Sequence, residues 1–82
     1  MNYDQDKVDE MTLALLYLVA SGHREGQGAR AWKGLDVNTL GRLRDKGWIE
    51  DPMNKTMSLH ITEAGYQKSK ELFAKHFSRA QA

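Results

Sequence analysis

The stretch D36-VNTLGRLRDKGWIEDPMNKTMSLHITEA-G65 decides how the rest of the chain is read. Asp36 can cap a helix, because its carboxylate accepts orphan backbone N–H bonds two or three residues on. Val37, Leu40 and Leu43 recur at three-residue spacing and form one apolar stripe. Arg44 and Lys46 suit the negative end of that helix, and Gly47 suits the left-handed residue that ends it. Trp48 to Asp51 then reads as a strand. Pro52 to Lys55 supplies turn chemistry, and Thr56 to Ile61 reads as a return strand in which Met57, Leu59 and Ile61 alternate with Ser58 and His60. Thr62 caps the next helix. Off the stripe, Asn38, Thr39, Arg42 and Lys46 form either a solvated helix face or a face that enters a nucleic-acid groove. Lys55 is the cation at the tip of the turn, either solvated or set against a phosphate.

Outward from this stretch, the N-terminal segment predicts a helix over about 4–20. Its acidic start, Asp6, Asp9 and Glu10, reads as an exposed first turn. Val8, Met11, Leu15, Leu18 and Val19 form a helical stripe, with Leu13, Leu16 and Tyr17 adding apolar residues outside it. Such a helix is apolar on most sides, and one small domain covers only one side, so a twofold partner helix is expected. Residues 21–28, SGHREGQG, read as a glycine-rich connector. They lack the preceding strand and the GK[ST] ending of a phosphate loop. Residues 29–34 predict a turn or two of helix with Trp32 as a packing anchor. The last helix is expected over 63–77, with Tyr66, Ser69, Leu72, Phe73, His76 and Phe77 on its buried stripe. Gly65 and Ser69 would let a neighbouring helix come close.

Eighty-two residues make a single domain, 1–82. Cysteine is absent, which excludes a disulfide framework, a thiol nucleophile and a cysteine zinc site, and suits the cytoplasm. No apolar run reaches a membrane span, and the acidic N-terminus does not read as a signal peptide. The formal charge is only +1. It is unevenly spread: residues 1–22 hold one lysine against four acids, net −3, and residues 23–82 hold eleven Lys/Arg against seven acids, net +4. His23, His60 and His76 have no metal-ligand spacing, and no nucleophile elbow is present, so neither metal, cofactor nor enzyme activity is expected.

Leu40, Leu43, Lys46-Gly47-Trp48-Ile49, Leu59, Ile61-Thr62 and Gly65 resemble the pattern that closes the winged-helix domains of bacterial multiple-antibiotic-resistance-type and phenolic-acid-type regulators. The resemblance covers about thirty residues. It implies a mainly α fold with a two-stranded β-hairpin, winged helix-turn-helix-like, in the order helix–short helix–helix–strand–strand–helix. It also implies that the helix after the wing joins the first helix in a dimer, with Leu13, Leu16, Tyr17, Leu72, Phe73 and Phe77 at the interface. Ala14-Leu15-Leu16-Tyr17-Leu18, Ala31-Trp32-Lys33-Gly34, Asp51-Pro52, Thr62-Glu63 and Phe73-Ala74-Lys75-His76-Phe77 make the whole chain similar to a small family of stand-alone bacterial proteins of unassigned function. Two functions follow as expectations. One is a dimeric, transcription-associated protein that binds double-stranded DNA through Asn38, Thr39, Arg42, Lys46 and Lys55, with Arg24, Arg30 and Lys33 on flanking phosphates. The other is a protein-association module that does not bind DNA.

Overall fold

In the computed structural model, which describes residues 1–32, 34–52 and 58–79, the order is α1 (Gln5–Val19), β1 (Ser21–Arg24), β2 (Gly28–Trp32), α2 (Val37–Asp45), β3 (Ser58–Ile61) and α3 (Glu63–Phe77). The strands form one antiparallel sheet in the order β1-β2-β3. This overturns the winged-helix reading. The segment expected to be a connector and a short helix is a β-hairpin, and its second strand pairs with β3. The expected strand at Trp48–Asp51 contracts to a single bridge, Ile49 to Ile61. The expected turn tip lies among residues 53–57, outside the described residues.

The hairpin forms because Gly28-Ala29-Arg30-Ala31-Trp32 alternates. Ala29 and Ala31 point inward beside Ile61 and Leu59, while Arg30 and Trp32 point outward beside His60 and Ser58. Ala is a helix former with little apolar bulk, so this period of two is weak in the sequence. Gly28 opens β2 at φ 76°, and a Cβ there would collide with the Ile61 carbonyl oxygen. Only glycine allows β2 to lie that close to the end of β3.

Each helix start is capped by its own side chain. Asp4 accepts from Lys7 N–H, Asp36 from Thr39 N–H, and Thr62 from Gly65 N–H. The Thr62 hydroxyl also donates to the Gly47 carbonyl at 2.7 Å. Gly65 is where the Trp48 backbone rests on α3, since a Cβ there would strike the Trp48 carbonyl. The close approach expected at Gly65 is thus made by a loop, not by a helix.

The core gathers Leu13, Ala14 and Leu16 of α1, Ala31 of β2, Leu40 and Leu43 of α2, Ile49, Leu59 and Ile61, and Leu72 of α3. Burial of this set is the main driving force for folding. The phase of α1 differs from the expected one. Its buried face carries Asp9, Leu13 and Leu16, and the stripe of Leu15, Leu18 and Val19 is exposed. Val37 is likewise outside the core. Trp32 is not a buried anchor either, being 61% exposed on the outer face of the sheet.

Candidate functional site

Three of the four residues expected to read a nucleic-acid groove, Thr39, Arg42 and Lys46, are engaged within the molecule. Asp9 is fully buried, and the Arg42 Nε lies 2.9 and 3.0 Å from its two oxygens. The Lys46 ammonium reaches Asp9 Oδ2 at 3.0 Å and Asp6 at 3.2 Å. Burial works against the Lys46 charge, but the bonds to Asp9 and Asp6 outweigh it and raise its pKa above the usual lysine value. Thr39 is buried, with its N–H and hydroxyl both given to Asp36 at 2.9 Å. Those two bonds hold the Asp36 carboxyl below its ordinary pKa. Arg44 pairs with Asp45 and Asp51. Of the expected α2 face, Asn38 remains exposed; the expected phosphate contacts Lys33, on the flank, and Lys55, at the wing tip, lie outside the described residues. Asp9, expected on an exposed first turn, therefore ties α1 to α2.

The residues expected at a dimer interface divide. Leu13, Leu16 and Leu72 are inside the core. Tyr17 packs between Tyr66 and Phe73, with ring centroids 5.7 and 5.5 Å away, and joins α1 to α3. Phe77 lies at the surface next to Phe73.

The apolar surface lies elsewhere. Leu15, Leu18 and Val19 are 52, 66 and 59% exposed. Leu15 and Val19 line an open hollow of about 310 Å³ with Thr12, Leu16, Trp32 and Leu35. Every lining side chain is uncharged. The sequence held the signal for this ridge in its excess of apolar residues between Met11 and Ala20, but the acid at position 9 concealed which side was inside.

On the sheet's outer face, Ser21, Arg30 and His60 form a cross-strand row, with Trp32 beside Ser58 in the next. A second open hollow, of about 370 Å³, is lined by Gly22, Arg24, Gln27, Gly28, Ala29, Arg30 and His60. Beneath the hairpin, His23 stacks on Tyr66 at 3.8 Å and meets the Glu63 carboxylate at 3.1 Å. Glu63 also accepts from Gln67 and from Gly28 N–H. Those bonds, led by the one from Gln67, hold its pKa down at about 2, and the His23 contact adds to them. Burial raises the pKa of the Tyr66 hydroxyl. Among the described residues no cluster of His, Asp or Glu is arranged to hold a metal ion. No described helix is long and apolar enough to cross a membrane.

The chain is a small α+β domain of three helices and one antiparallel three-stranded sheet. Residues 4–79 match the family described as Domain of unknown function (DUF6429), and the chain belongs to that family. It is 44% identical over 79 residues to the uncharacterized protein y4hR of Sinorhizobium fredii, a match that covers 96% of this chain and all of that relative. No solved structure matches the chain. The whole-chain similarity to a small family without an assigned function is thereby shown. The regulator resemblance over residues 36–65 is not.

Proposed function

We propose that this chain is a non-enzymatic association module that pairs with a second copy of itself through the α1 ridge. One observation carries the reading: Leu15, Leu18 and Val19 stand more than half exposed beside an uncharged hollow walled by Trp32 and Leu35. With Trp32, these side chains present on the order of 500 Å² of apolar surface, at the upper end of what a monomer leaves in one patch. A standard interface buries roughly 800 Å² per partner, so this patch supplies most of one. A second copy suits it because ridge and hollow lie side by side. A twofold axis between two α1 helices lets each copy's Leu15 and Leu18 enter the other's hollow. The lack of cysteine suits such a protein in a reducing cytoplasm.

The alternative reading of α2 as a groove-reading helix draws less support. Arg42 and Lys46 already neutralise Asp9, and leaving that carboxylate buried and unpaired to reach a phosphate would be costly.

Molar mass by light scattering tests the proposal. The wild type is expected to run as a dimer at micromolar concentration, and the exposed-site variant Leu15→Glu/Leu18→Glu as a folded monomer. A wild type that stays monomeric at high concentration, or a double variant that keeps the dimer mass, would refute it. Leu16→Glu is not a substitute, since that charge would enter the core.

A further inference from the structure

The hollow over the β1–β2 hairpin differs in chemistry from the α1 groove. Its walls are Arg24, Arg30 and His60, and its floor is the backbone of Gly28 and Ala29. Arg24 stands opposite Gly28, which has no side chain to fill the space between the strands. Arg30 stands opposite His60 on β3 and Ser21 on β1. The Arg30 guanidinium lies along Gly22, within about 3.5 Å of where a Cβ would be, so it is laid across the hairpin toward β1. Neither Arg24 nor Arg30 has a carboxylate partner among the described residues, as is also true of Lys7, Lys70, Lys75 and Arg79; what sets the two arginines apart is that they line one hollow. No Asp or Glu lines the hollow. Glu63, which binds Gly28 N–H, is absent from the lining, and Glu50, whose N–H bonds the His60 carbonyl, lies beyond His60.

We infer that this hollow is a phosphate-binding site, with Arg24 and Arg30 as the charged donors and His60 and the exposed Gln27 as neighbouring polar groups. Two arginines lining one concave surface offer guanidinium forks that each match two oxygens of a tetrahedral phosphate better than isolated lysines would. The footprint is short, because Glu50 ends the row beyond His60. The site therefore holds one or two phosphates, carried either by a single-stranded polynucleotide or by a small phosphorylated molecule. It adjoins the α1 ridge without sharing its side chains: Arg30 also lines a neighbouring hollow with Val19 and Trp32, but no residue of α1 lines this one, and Arg24, Gln27, Gly28 and His60 line it alone.

The test uses the intact protein at low ionic strength with two probes. Fluorescence anisotropy follows a short fluorescein-labelled oligothymidylate, and amide and side-chain NMR shifts follow titration with inorganic phosphate. Binding of the oligonucleotide that weakens at least tenfold in Arg24→Gln/Arg30→Gln supports the site with a polynucleotide as its source. Phosphate shifts centred on residues 22–30, lost in the same variant, without oligonucleotide binding, support the site with a small phosphorylated molecule. Both substituted residues are exposed, so circular dichroism of the variant should match wild type. Binding of neither probe, or binding that the double variant leaves unchanged, overturns the inference. The uncharged ridge variant Leu15→Gln/Leu18→Gln should bind as wild type does, which separates failure of this site from failure of the dimer.

Discussion

Replacing Asp9 by Asn removes one buried charge and changes almost nothing in volume. Wild-type Asp9 is fully buried and receives both Arg42 and Lys46. Breaking a buried pair by removing one partner ordinarily costs about 3–5 kcal/mol. Here the two cations are not themselves fully buried, with Arg42 and Lys46 side chains 23 and 30% exposed, so water recovers part of their solvation. Asparagine also keeps one acceptor oxygen, with hydrogen bonds about half as strong as charged ones. The expected loss is therefore about 2–3 kcal/mol. A domain of this size has a urea slope of about 1 kcal/mol/M, so the midpoint should fall by about 2–3 M with the slope unchanged. Both proteins must be unfolded at one concentration, because self-association adds to apparent stability. A midpoint shift under about 0.5 M at constant slope would mean that the carboxylate is not holding α1 against α2, and the reasoning would fail.

Gly65→Ala should cost about 3 kcal/mol in the same assay, because its Cβ meets the Trp48 carbonyl rather than a movable side chain. Wild-type stability would refute that contact. Glu63 has a folded pKa of about 2 against an ordinary 4.5, so its contribution is whole above pH 4.5 and is lost as pH falls through that window toward 2. Melting temperatures of Glu63→Gln should accordingly lie below wild type at neutral pH and converge with it in acid; a constant gap down to pH 2 would count against the cluster. Trp32 emission, read in a Trp48→Phe background, should shift to shorter wavelength as protein concentration rises through the dimerisation range, and an emission maximum that ignores concentration would argue that the ring stays in water.

Much of the local structure could be read from the residues. Asp36, Gly47 and Thr62 carry cap and turn chemistry that depends on neighbours only a few positions away, and each does in the structure what its type suggests. The larger arrangement could not be read in this way. Ala29 and Ala31 are too small to announce a strand, so from the sequence the hairpin reads as a connector and a short helix. Asp9 broke the buried stripe of α1 because its partners lie 33 and 37 positions away. With that acid read as solvent-facing, the residues of α1 do not show which side is buried, and the stripe with Leu15, Leu18 and Val19 is the exposed one. The candidate surfaces share this origin. Arg24 and Arg30 were visible as basic residues, but their common hollow exists only once β1 and β2 pair.

The packing of α1 on α3 also bears on how the protein is made. Tyr17 finds Tyr66 and Phe73, and Leu13 shares a core with Leu72, so the earliest helix is completed by the latest. During synthesis, Leu13 and Leu16 can meet Ala31, Leu40 and Leu43 first, but their cover stays incomplete until residues near Leu72 have cleared the ribosome. Through that interval the α3-facing side of α1, with Tyr17, is uncovered together with the ridge that remains exposed after folding. Nascent chains on one messenger would then meet through α1 before any of them is folded, and pairing between neighbours could begin on the polysome.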